Sequence, residues 1–318
     1  MIDYYALDGN YLRKAPHDGE EVTWIHLENP TPQEIEAASA TYHLPTDYLT
    51  AVLDDVETAR MEGGQSQPTK RPLLLVLEFP FVTTSASGYL QYNTYPLSLI
   101  LLPDKKLITV AKHQPPFFKK VLTTPIKEND LIPRVNIFLT LLWELTYSYN
   151  RHLEEIDQQV NRLESQIKVA TENQSLYQVM DIQKSLVFFE ESTTANHEVL
   201  KELYDADHLN KLHSYRNHLH DILVETGQSM TTSRIYLKLV SQMTDTFSAI
   251  VSNNLNNIMK ILTSLTIVLT IPTIIGGLYG MNVKIPLADQ DGAFLLITLG
   301  ILVLCLITVH YLRKKNLL

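Results

Sequence analysis

Two long apolar runs lie toward the carboxyl end of the sequence. Residues 261–278 and 293–311 contain 18 and 19 residues, respectively, without a charged side chain. A helix needs about 20 mainly apolar residues to cross the hydrocarbon core of a bilayer. Helices buried in soluble proteins usually keep a polar face toward solvent. The pattern therefore predicts two membrane-spanning helices rather than a pair of core helices.

The first part of the chain alternates short apolar runs with turn residues. Thr31 followed by Glu34 predicts a capped helix start, with the helix ending near Ala40. A second helix is expected over residues 46–57. Strands are expected where Leu, Val and Ile cluster between Pro, Gly and Asp, at residues 22–27, 73–82, 95–102 and 107–111.

From residue 131 onward, apolar positions recur at helical spacing, which predicts long helices at 137–167, 176–203 and 208–259. The last is a stalk helix of about 50 residues that leads into the first apolar run, with Gly227 as a weak point. The predicted fold class is α+β, an α/β cytoplasmic sheet domain with a long stalk helix and two C-terminal transmembrane helices. The expected segments are a sheet domain at 1–130, a helical region and stalk at 131–255, the stalk end and first membrane helix at 256–280, an external loop at 281–292, a second membrane helix at 293–312 and a basic tail at 313–318.

Charge divides the chain into an acidic body and a basic membrane part. Residues 256–318 carry five basic and two acidic side chains, and the net charge of −9 for the whole chain leaves −12 for residues 1–255. Lys and Arg flank membrane helices mainly on the cytoplasmic side. Lys260 precedes the first run and Arg313 follows the second. We therefore predict a multi-pass protein of the inner or plasma membrane with both termini cytoplasmic.

The composition also excludes several functions. The negative net charge argues against nucleic-acid binding. A single cysteine excludes a disulfide framework and a cysteine-based zinc cluster. The sequence has no Gly-rich phosphate loop, zinc-protease helix motif or Gly-x-Ser-x-Gly elbow. We therefore expect neither an enzyme nor an organic cofactor.

The first apolar run is richer in hydroxyl groups than an anchor needs to be. Hydroxylated and small residues favour helix packing in lipid, and they can also line a wet path. Residues that recur at roughly helical spacing can share one face of the helix. The predicted pore-lining residues are Asn256, Met259, Leu262 or Thr263, Thr266, Thr270 and Gly277. Since two spans cannot enclose a pore, several chains must each contribute this helix.

The segment Tyr279-Gly280-Met281-Asn282 follows the first run directly. This Gly-Met-Asn sequence between two C-terminal spans resembles the CorA family of magnesium transporters. The stretch at 256–263 is similar to the start of the family's pore helix. Residues 23–31 and 53–56 also look like CorA segments, so the resemblance extends over most of the chain.

The resemblance implies a homopentameric channel for hydrated Mg2+, and in some members Co2+ or Ni2+. It places Asn282 at the outer entrance, where its carboxamide holds the ion through the water shell, with Tyr279, Gly280 and Met281 shaping the turn. Mg2+ gives up its waters reluctantly, so neutral oxygens suit it. The family's basic ring at the membrane surface is matched by Arg313, Lys314 and Lys315.

The stalk offers a candidate regulatory metal site. Asp221 and Glu225 are four residues apart and share a helix face, with His218 three residues before Asp221. Asp54 and Asp55 are candidate partners from a neighbouring chain. By resemblance, cytoplasmic Mg2+ bound here holds the ring closed. Imidazole favours Zn2+, Co2+ or Ni2+ over Mg2+.

Three hypotheses remain open from the sequence. The first is a divalent cation channel of the CorA type. The second is a transporter of the same fold for Zn2+ or another transition metal, which the stalk histidines and Lys284 favour, because family loops commonly continue with acidic residues after the Asn. The third is a membrane-anchored signalling or scaffold protein. The sequence does not fix the physiological ion or the direction of flux.

Overall fold

The computed structural model describes residues 1–63, 71–103, 106–126, 131–167, 173–206, 213–281, 292–315 and 317. It forms two compact units, Met1–Thr244 and Asp245–Leu318. Each unit is described by itself below. The predicted division into six segments stays a prediction.

The first unit contains a mixed sheet with helices on both faces. The strands are β1 (Ile2–Asp8), β2 (Tyr11–Ala15), β3 (Val22–Glu28), β4 (Arg60–Glu62), β5 (Leu73–Thr84), β6 (Leu90–Leu101) and β7 (Leu107–Ala111). The sheet order is β2-β1-β3-β7-β6-β5-β4. Only the β3–β7 pair is parallel among the described strands.

The helices lengthen along the chain. They are α1 (Pro32–Tyr42), α2 (Asp47–Thr50), α3 (Phe118–Thr123), α4 (Pro133–Ile167), α5 (Asn173–Asp205), α6 (His213–Tyr279) and α7 (Ala293–Lys314). The predicted stalk and first span are one helix, α6, of 67 residues. The capping box of α1 is confirmed, because Thr31 and Glu34 exchange side-chain and backbone hydrogen bonds. The predicted fold class is confirmed.

The four predicted strands are confirmed, although β6 begins at Leu90 rather than Tyr95. Strands β1, β2 and β4 were not predicted from the sequence. The predicted helix at 46–57 is present only in its first part, because α2 covers Asp47–Thr50. After α2 only a 3-10 turn follows, to Leu53, and Asp54 is extended. The Asp54 carboxylate accepts a hydrogen bond from the Val56 N–H at 3.2 Å. This local bond competes with the helical ladder and ends the helix early.

Both faces of the sheet are covered, as strand β5 demonstrates. Leu74 and Val76 belong to the core beneath α1 and α2. The alternate residues Leu75, Leu77 and Phe79 belong to a larger core shared with α3, α4 and α5. Successive side chains on a strand point to opposite faces, so a run of apolar residues without alternation marks a strand buried on both sides.

His26 on β3 is buried among aromatic rings and is 2% exposed. The Thr109 Oγ1 atom accepts from the Trp24 indole N–H and lies 2.9 Å from His26 Nδ1. A hydroxyl group can both accept and donate hydrogen bonds, so Thr109 links the two rings, while the buried Nε2 atom of His26 has no hydrogen-bond partner among the described residues. Burial lowers the pKa of His26 from its ordinary 6.5 to about 4.

We expect the stability of this protein to fall as the pH drops from about 6.5 to 4. In this window His26 binds a proton in the unfolded chain but not in the folded one, so acid favours unfolding. The loss attributable to His26 is about 3 kcal/mol at pH 4. Thermal unfolding of full-length wild type and His26→Gln, followed by tryptophan fluorescence, measures it. If the stability of wild type and of His26→Gln changed in parallel between about pH 6.5 and pH 4, the prediction would be contradicted.

Asn196 on α5 completes the hydrogen bonding of β5 beyond the end of β4. The Glu78 N–H donates to Asn196 Oδ1 at 2.9 Å, and Asn196 Nδ2 donates to the Glu78 carbonyl at 2.7 Å. Strand β4 pairs only with residues 74–76 of β5. The side-chain amide therefore acts in place of a neighbouring strand, and it ties the sheet to α5.

We expect Asn196→Ala to lower the free energy of unfolding by about 2–4 kcal/mol, since it removes two buried hydrogen bonds and leaves a buried N–H unpaired. The matched control is Asn161→Ala, which removes an amide bonded to Asp157 on the exposed face of α4 and should change stability by about 0.5 kcal/mol or less. Denaturant unfolding of both variants checks the difference. Equal stabilities would show that Asn196 is dispensable.

Candidate cation pathway

Two helices, α6 and α7, are long and apolar enough to cross a membrane. In the second unit nearly all of their apolar side chains are exposed, for example Leu265 at 53% and Leu296 at 62%. A soluble protein does not leave contiguous apolar surface of this extent uncovered. The two predicted membrane helices are thus present as exposed apolar helices.

Helix α6 has two distinct sides within this unit. Ser264, 2% exposed, is covered by the segment after α7, and residues one or more turns along the helix on the same side are half-buried: Lys260, Val268, Ile271 and Ile275. The predicted pore-lining residues are all exposed: Asn256, Met259, Leu262, Thr263, Thr266, Thr270 and Gly277. At about 100° per residue, Leu262, Thr266 and Thr270 lie on roughly the opposite side from Ser264.

Three threonines of the first span bond to their own helix. Thr266 donates its hydroxyl hydrogen to the Leu262 carbonyl at 2.8 Å, Thr270 to Thr266 at 2.7 Å, and Thr273 to Leu269 at 2.9 Å. A hydroxyl group has one hydrogen and two lone pairs. Once the hydrogen is donated to the backbone, the oxygen offers only acceptor capacity to its surroundings.

Pro272 interrupts the backbone ladder of α6. Because proline has no N–H, the carbonyl four residues earlier, that of Val268, loses its helical partner. The Cys305 thiol on α7 points to this carbonyl, with an S···O distance of 3.8 Å. The sequence pattern gave no signal that the single cysteine lies against this carbonyl.

The Gly-Met-Asn segment begins where α6 ends. The Gly280 N–H donates to the Gly276 carbonyl at 3.0 Å, and the Met281 N–H donates to Leu278 at 3.2 Å. A Cβ atom at Gly280 would stand 3.4 Å from the Gly276 oxygen, an ordinary van der Waals contact. Tyr279 and Met281 are exposed, and Asn282 lies outside the described residues. The role of all four stays a prediction.

The candidate regulatory residues belong to the first unit, and two of them share a pocket. His218 and Asp221 line a pocket of about 450 Å3 between α4 and α6, together with Trp143 and Glu144. Glu144 is bridged to Lys120 at 2.9 Å. Among the described residues, no three His, Cys, Asp or Glu side chains are close enough to hold a metal ion.

Glu225 and Asp55 are already engaged within the chain. Glu225 accepts a hydrogen bond from Asn150, whose carbonyl oxygen accepts from Ser229. Asp55 pairs with Lys112 and His113, each at 3.0 Å. Partial burial would raise the pKa of Asp55, but these two partners outweigh it and lower the pKa. Sequence reasoning missed both partners, which lie more than 50 residues away along the chain.

The basic residues stand at the end of the second span. Arg313 and Lys314 form the last turn of α7, and Lys315 caps it through its backbone N–H. All three side chains are exposed. Cations at a helix C-terminus are favoured by the helix dipole. Their arrangement as a ring stays a prediction.

These features define a two-span membrane protein whose spans follow an α/β sheet domain. The profile of the CorA-like Mg2+ transporter protein family matches residues 19–314. The chain belongs to this family, which confirms the resemblance inferred from the Gly-Met-Asn segment. The family is one of transporters rather than enzymes.

Characterised relatives and solved structures agree with this assignment. The cobalt/magnesium transport protein CorA of Methanocaldococcus jannaschii is 27% identical over 96% of this chain and 94% of its own length. The magnesium transport protein CorA of Helicobacter pylori strain J99 is 25% identical over 93% and 91%. The complete M. jannaschii CorA structure matches with a TM-score of 0.82 at 22% identity, covering 100% of this chain and 99% of its own. The full-length CmaX structure matches with a TM-score of 0.75 at 14% identity, covering 98% and 97%.

Proposed function

We propose that this protein is a homopentameric channel that carries hydrated Mg2+ into the cytoplasm, with Co2+ and Ni2+ as further ions. The observation that carries the proposal is the exposed hydroxylated side of α6, which leads directly to the Gly-Met-Asn segment. A lone anchor helix needs neither feature. The M. jannaschii relative is named for cobalt and magnesium transport, which supports this pair of ions.

The exposed side of α6 favours assembly around an axis. Two spans from one chain cannot enclose a water-filled path, and exposed Thr266 and Thr270 are poorly matched to lipid. Surrounding a central axis with five α6 helices gives these hydroxyls a wet environment and leaves the more apolar α7 toward lipid. The number five follows the family resemblance.

The hydroxyl oxygens suit a cation that keeps its waters. Waters around Mg2+ direct their hydrogens outward, and Mg2+ dehydrates reluctantly. Threonine oxygens whose hydrogens are committed to the helix accept these outward hydrogens without stripping the shell. A ring of Asn282 carboxamides at the outer entrance would act in the same way.

Regulation by cytoplasmic Mg2+ is assigned to the stalk part of α6. Asp221 is exposed, and the same helix continues into the first span. A divalent ion bound between Asp221 and an acidic group of a neighbouring subunit favours the closed ring only if it binds that state more tightly. The positive flanks of the spans support a cytoplasmic location for this part of the protein and for both termini.

The test is ion entry into liposomes that contain the purified protein and an inward-negative potential. Uptake of Mg2+, Co2+, Ni2+ and Zn2+ is compared side by side. We expect Mg2+ entry that falls when Mg2+ is raised on the side of the first unit. Entry of Zn2+ without Mg2+ would favour the transition-metal transporter, and absence of any flux would favour an anchored scaffold protein.

A further inference from the structure

A polar contact in the second unit fastens the segment after α7 to the first span. Ser264 donates its hydroxyl hydrogen to the Leu317 carbonyl at 2.6 Å. The Leu317 N–H donates to the Leu312 carbonyl at 3.1 Å, which ties Leu317 to the end of α7. Ser264 and Leu312 are 2% and 5% exposed, whereas their neighbours along both helices are mostly exposed.

This contact, hereafter the latch, consists of Ser264, Leu312 and Leu317. Its three residues line a groove of about 220 Å3 together with Asn256, Met259 and Thr263. An ordinary membrane hydroxyl bonds to its own helix, as Thr266 does. Ser264 instead donates its hydroxyl hydrogen to a residue outside its own helix. The bond therefore fixes the orientation of α6 about its axis relative to the end of α7.

The rotation held by the latch turns the Leu262 side chain away from the end of α7. Leu262 is 55% exposed, and at about 100° per residue it lies on the far side of α6 from Ser264. In the proposed pentamer that side faces the axis, where rings of apolar side chains close a pore by excluding water. Rotation of α6 relative to Leu317 that moves them off the axis breaks the latch.

We propose that the latch is a gating element that stabilises the closed pore and thereby sets its sensitivity to cytoplasmic Mg2+. This inference rests on the proposed channel function. A bond present only in the closed state shifts the equilibrium between closed and open pores by the free energy of that bond. Losing one hydrogen bond changes this equilibrium constant about fivefold. Without the latch, more cytoplasmic Mg2+ is needed to close the pore.

The test uses full-length protein in liposomes, with Mg2+ uptake measured against Mg2+ on the side of the first unit. We expect Ser264→Ala to retain uptake but to raise the half-inhibitory Mg2+ concentration about fivefold. Ser264→Thr, which keeps the donor, should restore the wild-type value. The matched control is Thr308→Ala, because Thr308 bonds only to the Leu304 carbonyl of its own helix.

Hydrogen exchange of the same variants provides a readout that does not depend on transport. The Leu317 amide should exchange several-fold faster in Ser264→Ala than in wild type or Thr308→Ala. The latch proposal would be overturned by Ser264→Ala protein that transports Mg2+ and is inhibited by Mg2+ at the wild-type concentration. It would also be overturned if the Leu317 amide of this variant exchanged at the wild-type rate. Wild-type protein without divalent cation uptake would instead overturn the proposed channel function itself.

Discussion

Asn282→Ala should abolish Mg2+ uptake while leaving the protein assembled and folded. In the proposed channel the Asn282 carboxamides form the ring that receives the hydrated ion, and no other side chain of the Gly-Met-Asn segment offers a neutral oxygen. Removing an entire ring of acceptors leaves the water shell unsupported at the entrance. Uptake by reconstituted variant and wild type, with size-exclusion profiles to check assembly, measures the effect.

The control for this experiment is Gln290→Ala. Gln290 is a second carboxamide in the same connecting stretch of sequence, and its removal should leave uptake near the wild-type rate. Asn282→Ala protein that assembles normally and transports Mg2+ at the wild-type rate would exclude Asn282 as the entrance ligand.

Asp221→Asn should raise the cytoplasmic Mg2+ concentration that halves uptake by about tenfold, which corresponds to about 1.4 kcal/mol of lost binding. Asp221 is exposed and lines an open pocket, so its carboxylate is available to an ion shared with a neighbouring subunit. Neutralising it removes one charged ligand while keeping the shape of the side chain. The measurement is Mg2+ uptake as a function of Mg2+ on the side of the first unit.

Glu225→Gln provides the comparison for Asp221. Its carboxylate accepts a hydrogen bond from Asn150, which indicates a structural role in joining α4 to α6. We expect this variant to be less stable but to keep its sensitivity to Mg2+ within about twofold. A wild-type response from Asp221→Asn, together with an altered response from Glu225→Gln, would reassign the regulatory ligand.

The parts of the fold that depend on neighbouring residues could be predicted from the sequence. Apolar runs give the spans and the buried strands, and the Thr31–Glu34 spacing gives the capping box. The prediction of a helix over 46–57 was too long because the Asp54 carboxylate accepts a hydrogen bond from a nearby N–H. A single local bond of this kind leaves no trace in the apolar periodicity.

The candidate site was predictable to the same extent and for the same reason. Helical spacing alone assigned Thr266 and Thr270 to one side of α6, and both are exposed on the side away from Ser264. The pairing of Asp55 with Lys112 and His113 joins residues more than 50 positions apart. The bond between Ser264 and Leu317 joins residues 53 positions apart. Such contacts depend on chain topology, which no local pattern encodes.

The hydrogen bonds of the α6 threonines have a consequence for charge selectivity. Anions are bound in proteins by N–H and O–H donors, whereas Thr266, Thr270 and Thr273 direct their only hydroxyl hydrogens into the helix backbone. The proposed path therefore presents chloride or phosphate with oxygen lone pairs at the levels of Thr266 and Thr270. Neutral side chains can in this way exclude anions, because their hydroxyl hydrogens point into the helix and only oxygen lone pairs face the path. No fixed negative charges are needed, and such charges would trap a divalent cation.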